Sequence, residues 1–442
     1  MKSLSLLQGN LKKSVKVKGK RLKAVGAGLA SAQPHLAPAA TKRTAVQRAL
    51  LFLVIFFPLY TLHPTLFAQP LTKEAKVSLI TVSPGEELYS SFGHNALWVS
   101  DPMQGIDRVY NYGTFDFRTE GFYIKFLRGT LPYQLSVSPM YHTMYGAQAE
   151  NRSVTEQVLN LSQNQKQKLF DFLENNYLPQ NRQYAYKFFY DNCATRLRDA
   201  LNAACGDSLV FSRNTVAKDG MLKSFRWWMN KYLGDKPWSK FGMNLAIGLP
   251  SDRKASVQEE MYLPDNLQQH IELATIGGQK AVAEYKDLFT KSPKPESSNW
   301  WEILYSPMAI FHLLGILIIL LMYRQQKQQK VTFLFDKIFF SIIGLAGWVL
   351  FLLWVATDHG VTAWNFNLLW VMPFYLPFIY FIKRPWASYF IGASLVAVGL
   401  ALAVSIADNF FWGDSAIPRG SELFIIAVIA RLNFLRKRLA AK

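Results

Sequence analysis

The segment Phe188–Asp199, FFYDNCATRLRD, changes character in its middle. An aromatic run gives way at Asp191-Asn192 to Cys193, after which Leu197, Ala200, Leu201 and Ala204 recur at helical spacing. The pattern predicts a helix opening at Cys193, preceded by residue types common at helix N-termini. A thiol there faces unpaired backbone N–H groups and the positive end of the helix dipole, both of which favour the thiolate. The chain holds only two cysteines, Cys193 and Cys205. If both lie on one continuous helix, a rise of about 1.5 Å per residue puts them roughly 18 Å apart. A disulfide needs Cα atoms within about 7 Å, so the expectation is a free thiol at Cys193.

A thiolate nucleophile needs a base. Of the seven histidines, His35 and His63 fall in the N-terminal leader and His312 in an apolar segment, leaving His94, His142, His270 and His359. His94 is the best placed, because it opens the alternating stretch HNALWVS (94–100) after a turn containing Gly93. Lys76–Ser83 reads as a strand and RVYNYGTFDF (108–117) as a third strand-like piece with a turn signal at Gly113. Ser162 reads as the N-cap of a helix over Gln163–Asn176, and Asp265–Lys294 as a mixed helical stretch. The bland alternative is that Cys193 is a small core residue and His94 a satisfied sheet histidine.

Composition places this pair outside a membrane. The chain is 50% hydrophobic with a formal net charge of +19. Residues 1–48 carry 11 Lys/Arg and no acid, whereas residues 69–303 carry 26 Lys/Arg against 25 Asp/Glu. The basicity flanks apolar segments and forms no folded groove, which argues against nucleic-acid binding. Residues 1–68 read as a basic leader with the apolar run Ala49–Tyr60, either a signal sequence ending near Ala68 or an uncleaved anchor. Residues 69–290 read as an exported domain and 291–303 as a polar linker. Residues 304–436 read as a bundle of four to five spans (304–323, 338–357, 364–382, 386–407 and the short 421–435 with Arg431), and 437–442 as a basic tail. The connections 323–330 and 383–385 and the tail are basic, while 357–365 and 407–420 carry acids, so residues 69–303 are expected outside. FRWWMNKYLGDKPW (225–238) suits either a headgroup layer or a packed core.

A strand opening with His, followed later by Asn-Cys at a helix start, resembles the circularly permuted papain-like arrangement of lecithin-retinol acyltransferase-like and NlpC-like domains. The ordered blocks SSFGHNALWVSD (90–101), YNYGTFDF (110–117), FYIKFLRGTLPYQL (122–135), ENRSVTEQVLNL (150–161), YDNCATRLRD (190–199) and TDHGVTAWNFNLLWVMP (357–373) together resemble the Lnb-type bacterial lipoprotein N-acyltransferases. That resemblance implies an α+β, permuted papain-like exported domain followed by an all-α transmembrane bundle in the inner membrane. It implies a thiol acyltransferase that moves a fatty acyl chain from a phospholipid to the α-amine of a diacylated apolipoprotein, without a cofactor. Cys193 is then the nucleophile and His94 its base, with Asn111, or else Asp116, orienting the imidazole. Arg128 and Arg196 are phosphate-binding candidates, although Arg196 can equally pair with Asp199. Asp358, His359, Asn365 and Asn367, at the outer mouth of the third span, are candidates for a headgroup or acceptor site. One Cys beside one His offers no metal-ligand spacing. Two other functions remain open on the residues alone: a membrane-anchored cysteine peptidase or amidase acting on cell-wall peptides, and a non-enzymatic lipid- or lipoprotein-binding factor.

Overall fold

The computed structural model describes residues 69–293, 300–328, 333–408 and 416–440. The leader and its apolar run lie outside the described residues, as do residues 294–299 of the polar linker. The exported part is built on a seven-stranded antiparallel sheet. Its strands are β1 (Lys76–Val82), β2 (His94–Asp101), β3 (Ile106–Thr114), β4 (Pro132–Ser138), β5 (Val154–Leu159), β6 (Gln183–Ala185) and β10 (Val282–Phe289). They are ordered β10-β5-β1-β2-β3-β4-β6. A second, three-stranded sheet joins β7 (Leu209–Val210), β8 (Thr275–Ile276) and β9 (Gln279–Lys280).

Alternation along β1 and β2 sorts side chains between two cores. Val77, Leu79, Leu97 and Val99 pack with α3 (Gln163–Tyr177), α4 (Cys193–Cys205) and α7 (Pro264–Leu273). Ile80, Val82 and Ala96 face α2 (Met140–Ala149), which follows the one-and-a-half-turn α1 (Phe122–Leu127) in the chain. Leu197, Ala200, Leu201 and Ala204 of α4 are all buried, forming the stripe that their spacing predicts. Ser162 caps α3 through a reciprocal pair of hydrogen bonds with Gln165. The helix expected over Asp265–Lys294 stops at Leu273. Gly277 and Gly278, both at positive φ, turn the chain, and Val282–Phe289 becomes the edge strand β10. In the aromatic stretch 225–238, α5 (Phe225–Tyr232) sends Phe225, Trp228 and Met229 into a core, with Leu233 just beyond its end, so packing decides most of that stretch.

The C-terminal part is helical. After α6 (Pro237–Ala246) in the exported part and the short α8 (Trp300–Leu304) come α9 (Pro307–Gln328), α10 (Leu334–Val355), α11 (Tyr375–Phe378), α12 (Ala387–Ala407) and α13 (Glu422–Ala440). Helices α9, α10 and α12 are long and apolar enough to cross a membrane. The expected span over Trp364–Ile382 is not a continuous helix but a chain of short turns around α11. Pro373 and Pro377 remove two helical donors. The segment still runs the length of α10, held from Thr362 Oγ1 on Leu353 O to the Tyr380 hydroxyl at Ser341. Gly344 and Gly347 make this approach possible: a Cβ on Gly347 would lie 2.2 Å from Val371 O, and one on Gly344 2.3 Å from Leu376 N.

The segment around Arg431 is longer than its apolar run suggests, because the charge is neutralised inside the bundle. Arg431 grips Asp336 of α10 at 2.6 and 2.7 Å and Gln325 of α9 at 2.7 Å, with the Arg431 and Asp336 side chains fully buried. Removing one partner leaves a buried charge unpaired, so Arg431→Ala should destabilise the bundle by about 3–5 kcal/mol. Thermal unfolding of the purified protein in detergent checks this. A variant with Arg431→Leu and Asp336→Leu should recover much of the loss.

Candidate functional site

Asn192 caps α4. Its side chain accepts from Thr195 N at 3.0 Å, and Thr195 Oγ1 accepts from Asn192 N at 2.8 Å. Its amide nitrogen donates to Phe188 O and Tyr262 O, both at 2.8 Å. Cys193 is therefore the first helical residue, and α4 packs across β2 and β3. His94 is the first residue of β2, so its ring stands at the strand end. Its Nε2 lies 3.2 Å from Asn111 Oδ1. An oxygen acceptor there requires the hydrogen on Nε2, which leaves Nδ1 to hydrogen-bond the Cys193 thiol. Beyond Asn111 the β3–β4 register shifts, and Gly113 in this bulge has φ +89°. A methyl group there would sit 3.9 Å from Cys193 Cβ and 3.4 Å from Tyr186 Cε2.

The electrostatics suit an ion pair. Burial alone would raise the Cys193 thiol, but the His94 charge, its hydrogen bond and the backbone N–H groups of Asn95 and Ala194 outweigh this, and the pKa falls below its ordinary value. Burial likewise works against a protonated His94, yet the Cys193 charge and the hydrogen bonds to Cys193 and Asn111 raise it. Both shifts favour thiolate and imidazolium together. Cys205, at the far end of α4, has no such partners, and burial pushes it up to about 11. Neither cysteine is in a disulfide.

The structure thus brings Cys193, His94 and Asn111 together. It does not bring Asp116: that carboxylate is exposed and pairs with Arg118 at 2.9 Å, on the loop beyond β3. Arg196, one turn after Cys193, pairs with Asp191 at 2.5 and 2.7 Å instead of Asp199, and lies over the Tyr184 ring at 4.0 Å. Its charge is engaged within the fold. Arg128 has an exposed side chain, while its carbonyl accepts from Asp358 N at 2.8 Å. Asp358 pairs with Lys187 at 2.8 Å, and the His359 ring donates to Leu127 O at 3.0 Å. Asn365 and Asn367 are buried. Asn365 donates to Leu245 O and Ala246 O, and Asn367 to Asn244 O and Ala416 O, joining the exported part to the bundle. Gly248 N bonds Val361 O at 2.8 Å in the same seam. The Ala194 N–H is one of the helix-start donors expected around Cys193, whereas the Asn95 N–H was not anticipated, and its only signal was its adjacency to His94. A cleft of about 270 Å³ opens beside His94 and Asn111, lined also by Ser138, His142, Glu150 and Arg152. Among the described residues no cluster of ligands can hold a metal.

A thiol and an imidazole thus meet at the start of a helix, in an α+β domain set on a helical membrane part. Residues 68–217 match the Lnb N-terminal periplasmic domain, and residues 296–412 match the Lnb transmembrane domain. The chain belongs to the Lnb-type lipoprotein N-acyltransferase family, and it is anchored in a membrane with a periplasmic segment. No curated protein and no solved structure matches it.

Iodoacetamide should alkylate Cys193 at pH values below the range of an ordinary thiol, about 8.5, while Cys205 stays silent. His94→Ala should move that profile upward, and Asn111→Ala should move it the same way by less. An unshifted wild-type profile would contradict the ion pair.

Proposed function

We propose that this protein is a multi-pass inner-membrane enzyme that transfers a fatty acyl chain from a phospholipid to the α-amine of a lipidated N-terminal cysteine on apolipoproteins. The observation that carries this reading is the Cys193–His94–Asn111 array, held in a domain whose seam with the membrane bundle is closed by buried asparagines.

The Cys193 thiolate attacks an ester carbonyl of the phospholipid. A C–S bond forms, the C–O bond to glycerol breaks, and imidazolium His94 gives its proton to the departing oxygen, releasing a lysophospholipid. The lipoprotein amine then attacks the thioester carbonyl. Its surplus proton goes to His94, the C–S bond breaks, and the thiolate–imidazolium pair is restored. An amide is more stable than a thioester, so the second half runs downhill. The N–H groups of Asn95 and Ala194 stabilise negative charge at the sulfur, and donors at the start of α4 serve the oxyanion of each tetrahedral intermediate. Asn111 is a positioning residue that holds the imidazole with Nδ1 toward the thiol. Water has to be kept from the thioester, or the acyl-enzyme hydrolyses. Placement on the bilayer, where both substrates are confined, serves that need.

The test is mass spectrometry of the N-terminal peptide of a mature lipoprotein, from cells whose only copy of this protein is wild type or Cys193→Ser. The expected result is an acylated α-amine in wild type and a free one in the variant. Acylation that persists in the variant, with no other acyltransferase present, would overturn the assignment. His94→Ala should lower the acylation rate by about 10²–10⁴-fold.

A further inference from the structure

A seam of aromatic rings runs from the thiol to the membrane side of the domain. Tyr186 stands beside Cys193 across the gap at Gly113, and burial, then the Cys193 charge, holds its hydroxyl well above the ordinary range. Tyr186 stacks on Tyr133 at 4.4 Å between centroids, and Tyr133 meets Phe115 edge-on at 5.3 Å. Phe115 in turn touches Phe117 at 5.1 Å and Phe122, the first residue of α1, at 5.8 Å. Tyr186, Tyr133 and Phe115 are half-buried and belong to none of the four apolar cores.

The outer end of this seam is unusually apolar for a periplasmic surface. In α1, Tyr123 is 76% exposed, Ile124 63% and Leu127 56%, with Phe117 70% exposed beside them. Lys125 and Arg128 flank this face. The carbonyls of Leu127 and Arg128 are bonded by His359 and Asp358, only a few residues beyond the end of the membrane-spanning helix α10. This apolar face has cations at its edge and is tied to the loop that follows α10, a combination that suits a bilayer surface.

We propose that this seam is an acyl-chain path: α1 dips into the outer leaflet, and one chain of a phospholipid lies along Phe115, Tyr133 and Tyr186 with its ester carbonyl at Cys193. The path rests on the reading of Cys193 as acceptor of a phospholipid acyl chain. The occupant is a long hydrocarbon chain, since stacked and edge-on rings offer apolar surface along the whole line and no charged group within it.

The test uses full-length Cys193→Ala protein in lipid nanodiscs containing a phospholipid with a mid-chain diazirine. After irradiation, crosslinks should map to the peptides carrying Phe115–Phe126 and Tyr133. Labels confined to the bundle helices, or to the cleft beside His142, would overturn the path. As a second measurement, Cys193 acylation by water-soluble butanoyl and dodecanoyl thioesters is compared in wild type and a Phe115→Ser/Tyr133→Ser variant. The long-to-short rate ratio should fall about tenfold, and an unchanged ratio counts against the path. If that variant fails to fold, the crosslink map alone decides. Seam labelling in a protein whose wild type acylates no lipoprotein would keep the path and discard the transferase reading; lipoprotein acylation without seam labelling would do the reverse.

Discussion

The first turn of α4 is the constraint on which the site depends. Asn192 spends both ends of its side-chain amide on backbone partners, joining Thr195 N, Phe188 O and Tyr262 O, and it is buried while doing so. With these bonds made, the helix start cannot rotate or fray, and Cys193 is delivered to the end of β2 where His94 stands. A buried thiolate without such fixation would pick up a proton, as the raised pKa of Cys205 on the same helix illustrates. The difference between the two cysteines is therefore not burial, which both share. It is the set of fixed donors and the opposing imidazole around one of them. Groups positioned before reaction need no reorganisation during it, which is the usual source of electrostatic catalysis.

A second constraint fixes the thiol relative to the bilayer. Irregular backbone within a membrane part is tolerated only where protein satisfies its polar groups. The Trp364–Ile382 segment meets this condition from both sides. Glycines of α10 let its backbone approach closely, and Asn365 and Asn367 above it cap carbonyls at the end of α6. Gly248 belongs to the same joint, since a Cβ there would sit 1.9 Å from Ala363 O. The polar seam and the glycines act together, so the exported part is seated on the bundle by close backbone contact.

Much of the exported sheet was legible because alternation and punctuation agree there. HNALWVS between two turn signals leaves little choice but a strand, and the stripe Leu197, Ala200, Leu201, Ala204 little choice but a helix. The histidine that opens that strand and the cysteine that opens that helix were therefore legible as a pair. What failed was the choice among possible partners. Asp116 is satisfied in solvent by Arg118, two residues on, and Arg196 has acids at both Asp191 and Asp199 to choose from. Hydropathy read Trp364–Ile382 as one span because it registers composition and not the missing donors of Pro373 and Pro377. It undervalued the helix around Arg431 because Asp336 lies 95 residues away.

The asparagines show why polar residues near a membrane mouth are hard to assign from sequence. Asn365 and Asn367 have the residue types and the location expected of a substrate site, and both satisfy buried carbonyls. A boundary between a periplasmic domain and a lipid-embedded bundle carries many backbone groups that water cannot reach, and each needs a partner. Side-chain amides, with two donors and one acceptor oxygen, fill that role better than any charged residue. Polar residues at such a boundary are therefore best credited with holding the joint unless their hydrogen-bonding capacity is left over. His94 is judged on other grounds: its ring faces a thiol and one amide oxygen, an arrangement that a purely structural joint does not require.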